Sequence, residues 1–346
     1  LFLATSTLSL DFIIYYPEYC NRDSHHKKRQ SINRQTGTKS SQAAFRYQGT
    51  LKGIRLALCG RIAMKYMTCF LIFILLAIPF QPVSAKNVAK IAVILSTEDV
   101  DGANDIEAAI IEATADGTRP GVVILDGENG AFVLTDADRS LNIFVSNLTL
   151  RGMNEAVIEN CDDGLFFDDF ELQNILVEGI SFLCTGDGVE ATGTFRDVTL
   201  RNNVFWADHN GIGVSGHSSG WLIKDNTIHS DWDAINITGA IGFTISKNYL
   251  SGHNGIVLLR VSQFQVHQNA MQATDQGILL GQESWENQVQ ANTIYGVNHA
   301  GITLEPGVVN NQILANRVIC ASEAGCMTID AMENVLQSNK VAGNKP

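Results

Sequence analysis

Asp208, His209, Asp231, Trp232, Asp233, His253, Asp275 and His299 are the residues whose types and spacing suit chemistry. They fall in the phrases "WADHNG", "SDWDA", "SGHNG", "ATDQG" and "VNHAG", which recur every 21–24 residues. Paired carboxylates supply the acid and base of glycoside hydrolysis, and their separation sets its stereochemistry. A histidine near neutral pH relays a proton. Carboxylates together with histidines hold a divalent metal. Short polar residues are equally what a turn prefers, so a solvated row of turn residues is the competing reading. The choice depends on what the rest of the chain does at the same period.

Two other columns share that period. Asn203, Asn226, Asn248, Asn269, Asn292, Asn316 and Asn339 are spaced 23, 22, 21, 23, 24 and 23 residues apart. The phrases "GIGV", "AINI", "GIVL", "GILL" and "GITL" begin at Gly211, Ala234, Gly255, Gly277 and Gly301. Between the columns lie short alternating apolar runs such as "GWLIKD" and "FTISKN". Each repeat therefore reads as three short strands separated by turns. One such triplet cannot bury its apolar face alone. Stacked at about 4.8 Å, successive triplets form continuous parallel sheets around one core. The Asn column is expected at a turn, in the left-handed conformation Asn tolerates, with each amide bonding to the next coil. Its role is structural.

This pattern resembles the right-handed parallel β-helix superfamily, the pectate-lyase-like fold, over about residues 88–345. The expectation is an all-β solenoid with three strands per coil of 21–24 residues and an N-terminal capping helix. "NDIEAAIIEATADG" places Ile106, Ile110 and Ala113 on one helical face, with Asn104 and Glu107 marking its start. "SNLTLRG" follows, as is usual in this superfamily. Cys161 and Cys184 are 23 residues apart and so fall on adjacent coils, close enough for a disulfide. Cys320 and Cys326 would close a small loop.

The resemblance implies that a ligand lies along the outer face of the "GI-L" strand, walled by the turn before it. Outward pairs on that strand include Glu190/Thr192, Gly213/Ser215, Asn236/Thr238 and Val257/Leu259. Lys and Arg are absent from this face, although Arg260 follows it. Polygalacturonase-type hydrolases of this fold carry Asn-Thr-Asp, Asp-Asp and Gly-His-Gly on successive coils. By that resemblance Asp208, Asp231 and Asp233 match the acids and His253 the histidine. Here the acids are not adjacent, Asn254 interrupts the Gly-His-Gly, and "GILLGQ" replaces the basic motif. "VFWADH" is similar to a lyase phrase, Trp-Ile-Asp-His.

Asp231, Asp233, His253 and Asp275 are thus the expected acid–base residues. Trp206, Asp208, His209, Trp232, Arg260 and His299 are the expected substrate contacts. Trp221 and Trp285 are lesser candidates for sugar stacking, and His217, His229 and His267 read as simple exposed residues. Three functions fit: a polysaccharide hydrolase or lyase/epimerase, a non-catalytic glycan-binding or surface repeat protein, and a β-helix protein of periplasmic metal-cluster maturation. The last rests on His253, Asp275 and His299.

The charge narrows the partners. The net charge is −12. Residues 1–85 hold 11 Lys and Arg against 3 Asp and Glu, which leaves −20 on residues 86–346. Such a domain opposes nucleic acid and repels polyuronates unless a cation, Ca²⁺ for carboxylate ligands, bridges them. A neutral glycan meets no such barrier.

The segment 64–85, "MKYMTCFLIFILLAIPFQPVSA", has a basic start, an apolar run and small residues Val83 and Ala85 before the break, the layout of a signal peptide. The run is shorter than the ~20 residues a stable membrane anchor needs. Residues 1–63 are polar and aperiodic, and are expected to be a mis-assigned upstream or disordered segment. The expected domain is 86–346, secreted or periplasmic. The even count of four cysteines within it agrees.

Overall fold

The computed structural model describes residues 91–135, 139–167, 171–321 and 325–343. The expected upstream segment 1–63, the leader 64–85 and the start of the 86–346 domain lie outside the described residues.

One coil shows how the period becomes structure. Leu222–Lys224 leads through Asp225 and Asn226 into Thr227–Ser230, which turns into Asp233–Thr238 and returns to Thr244–Ser246. Each strand pairs in parallel with its counterpart one coil away. Sheet 1, which contains Leu222–Lys224, holds eleven strands in chain order among the described residues. Sheet 2 holds the strands that follow the Asn column, and sheet 3 the Gly-Ile strands. Sheets 2 and 3 are continuous where Tyr249–Leu259 and Ala270–Gly281 run from one into the other without a break. The result is a right-handed parallel β-helix.

Like residues lie on like inside it. Ile212, Ile235, Ile256, Ile278 and Ile302 form one register column, and Ile223, Ile245, Val266, Val289 and Ile313 another. All are fully buried. Each such side chain contributes about 1.5–3 kcal/mol relative to exposure. Trp221, Phe243 and Phe264 stack with centroids 5.4 and 4.9 Å apart and planes within 5°. Trp221 is 1% exposed, so its expected availability to sugars is corrected: the ring is core. The Gly column follows from close stacking. A Cβ on Gly255 would lie 2.4 Å from the Gly277 carbonyl oxygen.

The Asn column is a continuous ladder. The backbone N–H of Asn226 donates to Asn248 Oδ1 at 3.0 Å, and that of Asn248 to Asn269 Oδ1 at 3.0 Å. The Nδ2 of Asn248 also donates to the Ile223 carbonyl at 2.9 Å. The left-handed residue is the one before each Asn: Asp225, Lys247, Gln268, Ala291 and Ala315 have φ between 53 and 58°. The expected left-handed Asn is therefore corrected. The preceding residue makes the bend, and the Asn side chain is free to turn inward and satisfy backbone groups. Asn287, Asn311 and Asn334 form a second ladder that the sequence reading missed. It continues the column of Trp221, Phe243 and Phe264, whose last N–H donates to Asn287 Oδ1 at 2.9 Å.

Helix α1 (Ala103–Thr114) packs against Gly121–Asp126 and Leu141–Ile143 with Ile106, Ile110 and Ala113 buried. Its N-cap is Gly102 rather than Asn104. Glu107 ties the helix to the first strand of sheet 3, since its Oε1 accepts from both the N–H and Nδ2 of Asn142, at 2.9 and 2.8 Å. The disulfides are Cys161–Cys184, which joins adjacent coils, and Cys320–Cys326. No helix among the described residues is long and apolar enough to cross a membrane.

Candidate functional site

The turns from sheet 2 to sheet 3 carry two rows of side chains. The inner row is Asp163, Asp187, Asn210, Asp233, Asn254 and Gln276. Its members bond from coil to coil: the Asp187 N–H donates to Asp163 Oδ1, and the Asn210 N–H to Asp187 Oδ1, both at 2.8 Å. Asp233 belongs here. Its Oδ1 accepts from Asn254 Nδ2 at 2.8 Å and its Oδ2 from Asn236 Nδ2 at 2.7 Å. Both oxygens thus fix the turn, as a polar turn residue does.

The outer row is Asp162, Gly186, His209, Trp232, His253, Asp275 and His299. Backbone bonds stack it directly: His209 N to Gly186 O at 3.1 Å, Trp232 N to His209 O at 3.3 Å, His253 N to Trp232 O at 2.7 Å, and His299 N to Asp275 O at 3.2 Å. The His209 and Trp232 rings are 5.4 Å apart. Asp275 lies between two imidazoles. Its Oδ2 is 3.8 Å from His253 Nε2, and its Oδ1 contacts His299 Nδ1. His253 Nδ1 is 3.3 Å from Thr274 Oγ1. The structure therefore unites His253, Asp275 and His299. Arg260 it leaves apart, because the strand from Asn254 to Leu259 intervenes, roughly 20 Å at strand rise.

Two clefts flank Asp231. One, of about 510 Å³, is lined by Thr185, Trp206, Asp208, His229, Asp231 and Ser251 among others. The other, of about 350 Å³, is lined by Asp231, Trp232, Asp233, His253 and Asn254. Trp206 and Trp232 are 51% and 61% exposed, so each presents an aromatic face at a cleft. His229 is not the simple exposed residue expected. Its ring stacks on Trp206 at 3.9 Å with planes 22° apart, and burial holds it below the usual imidazole range. The 23-residue spacing of Trp206 and His229 was the signal for this pairing.

A third, smaller groove of about 230 Å³ lies on the outer face of sheet 3, lined by Asp187, Glu190, Thr192, Asn210, Ser215 and Asn236 among others. Burial raises the Asp187 carboxyl, opposed by bonds from Asn210 and assisted by Asp163. Burial also raises Glu190, with Asp163 and Asp187 adding repulsion. The sequence reading took these as a turn residue and an outward strand residue; only their mutual approach marks them. Among the described residues, no three His, Cys, Asp or Glu side chains converge on a point that one metal ion would occupy.

Residues 187–345 match the family model described as a right-handed β-helix region. With the coil geometry above, the chain is a right-handed parallel β-helix protein. Among solved structures it is similar to the Dettilon tailspike protein, at 14% identity and a TM-score of 0.51, covering 72% of this chain and 62% of that one. It is also similar to the A-module of the mannuronan C-5 epimerase AlgE4 of Azotobacter vinelandii (16% identity, 72% and 96% covered, TM-score 0.47). A third is DFA-IIIase of Arthrobacter chlorophenolicus A6 (12% identity, 72% and 87% covered, TM-score 0.49). Comparison with curated protein sequences gave no significant match. Likeness at these identities concerns the fold alone.

Proposed function

We propose that this is an exported protein that binds a polysaccharide and acts on it in the turns between sheets 2 and 3, by hydrolysis or by lyase or epimerase chemistry. One observation carries the reading: Asp231 stands in the wall of two adjoining clefts, with an exposed tryptophan in each. A sugar ring has an apolar face that stacks on such rings and hydroxyls that bond to carboxylates. The leader-like segment and the two disulfides support export.

In this reading Asp231 is the acid–base carboxylate. His253 relays the proton, oriented by Asp275, and His299 braces Asp275 from the other side. Asp233 positions the turn. Trp206, Trp232, Asp208 and His209 grip the sugar. The test is the 86–346 chain on neutral and anionic glycans, with and without Ca²⁺, read by reducing ends and by ultraviolet absorbance of unsaturated products. Asp231→Asn is expected to lower turnover by about 10²–10⁴-fold, the range for a lost acid–base group, while glycan binding persists. Binding without product from the unmodified protein makes the chain a glycan-binding module.

A second placement of the acid is favoured by the raised Asp187 and Glu190 carboxyls in the sheet 3 groove, since a carboxyl that keeps its proton is a better general acid. Product formation abolished by Glu190→Gln and untouched by Asp231→Asn selects it.

A further inference from the structure

The largest of these clefts opens onto a surface of which the turn site uses only Trp206. On the outer face of sheet 2, one register line runs Leu183, Trp206, His229, Ser251, Gln272, Tyr295. The parallel line beside it runs Ser181, Val204, Thr227, Tyr249, Ala270, Thr293. Leu183, Trp206 and Tyr249 are 42%, 51% and 36% exposed. Trp206 stacks on His229, and His229 meets Tyr249 edge-on at 5.8 Å. Tyr249 in turn lies near enough to the Tyr295 phenol to raise its pKa. The rings thus form a connected row. Five coil spacings separate Leu183 from Tyr295, about 24 Å along the axis.

We infer that this row is a binding track for an uncharged glycan chain laid parallel to the solenoid axis, feeding the Asp208–Asp231 cleft; the inference rests on the reading of that cleft as a sugar site. Three features select this occupant. Lys and Arg are absent from both lines between Leu183 and Tyr295, so nothing on them pairs with a uronate. Carboxylates of Asp208 and Asp231 and hydroxyls of Thr185, Ser230 and Ser251 border the rings at the cleft. An apolar protein patch or a lipid tail covering them would leave those groups unsatisfied, at a cost. A polyol satisfies them while its ring faces stack on Trp206 and Tyr249. His229, whose imidazole burial holds below the usual range, adds an aromatic face that stacks on Trp206.

The experiment is native affinity electrophoresis of the 86–346 chain in gels containing β-glucan, xyloglucan, galactomannan or polygalacturonate. Trp206→Ala and Tyr249→Ala are run beside it, with Trp206→Phe as a variant that keeps a ring. The expected result is retardation by at least one neutral polymer and none by polygalacturonate. Each alanine variant weakens retardation about three- to tenfold, as loss of one aromatic contact does, and Trp206→Phe restores most of it. Retardation unchanged in Tyr249→Ala but lost in His209→Ala and Trp232→Ala overturns the track and leaves the turn site standing. Retardation lost in Tyr249→Ala but intact in His209→Ala and Trp232→Ala upholds the track and removes the turn site. No retardation by any neutral polymer, or preference for polygalacturonate, overturns the track. So does a concentration-dependent dimer in sedimentation that Trp206→Ala abolishes, since the face then belongs to a second copy.

Discussion

Asp187, Glu190 and Glu178 show how place sets the acidity of a carboxyl. Burial, with Asp163 close by, raises Asp187 and Glu190. Burial acts on Glu178 too, but bonds from Arg201 and Arg151 outweigh it and hold its carboxyl below the usual range. The consequences for stability have opposite signs. A raised folded value means the native state holds more protons than the unfolded chain, so stability falls as pH rises from the ordinary carboxylate value through the raised one. Glu178 contributes stability above its ordinary value and loses it as pH falls through the lowered one. Glu190→Gln is therefore expected to melt higher than the unmodified protein at pH 7 and to lose that advantage near pH 4, as read in melts across that range. The sequence displayed Glu190 as an outward residue, but not Asp163 and Asp187 beside it; their approach is made by stacking.

At the scale of the element, the Asn ladder carries the turn between sheets 1 and 2. Asn248 is 2% exposed and makes four bonds: its Oδ1 accepts from the N–H and Nδ2 of Asn226, and its Nδ2 donates to Ile223 O and Asn269 Oδ1. Asn248→Ala leaves a buried N–H and a buried carbonyl without partners, each costing about 1–3 kcal/mol. The expected loss is about 3 kcal/mol or more in urea unfolding. Asn339→Ala, in the less buried last rung, is expected to cost about 1 kcal/mol. The spacing of the Asn residues revealed this ladder directly. It did not reveal that the left-handed bend belongs to the residue before, because Asp, Lys, Gln and Ala all occupy that position and share no side-chain signature. The second ladder stayed hidden because its column changes from Trp221, Phe243 and Phe264 to Asn287, Asn311 and Asn334, so no single letter repeats.

Across the described coils each one packs mainly on its two neighbours, so stability is close to a sum over interfaces. The Cys161–Cys184 bridge fastens one such interface across 23 residues. Replacing both cysteines by serine is expected to cost about 3 kcal/mol by the loop-closure relation, and removing the six-residue Cys320–Cys326 link about 2 kcal/mol, measured by urea unfolding of each variant. The sequence by itself determined the solenoid, its period, its inward residues and the pairing of its cysteines. These follow from a repeat that returns each position to the same place around one axis. It also aligned His253, Asp275 and His299, since one letter per coil suffices for that. Tertiary structure alone decided which of the aligned groups are taken up by neighbours and which stay open to a ligand. Asp233 became a turn anchor, Trp221 became core, and Trp206 joined His229 and Tyr249 in an exposed row. Burial and hydrogen bonding are properties of the packed surroundings on all sides, and a column of letters records only one direction of them.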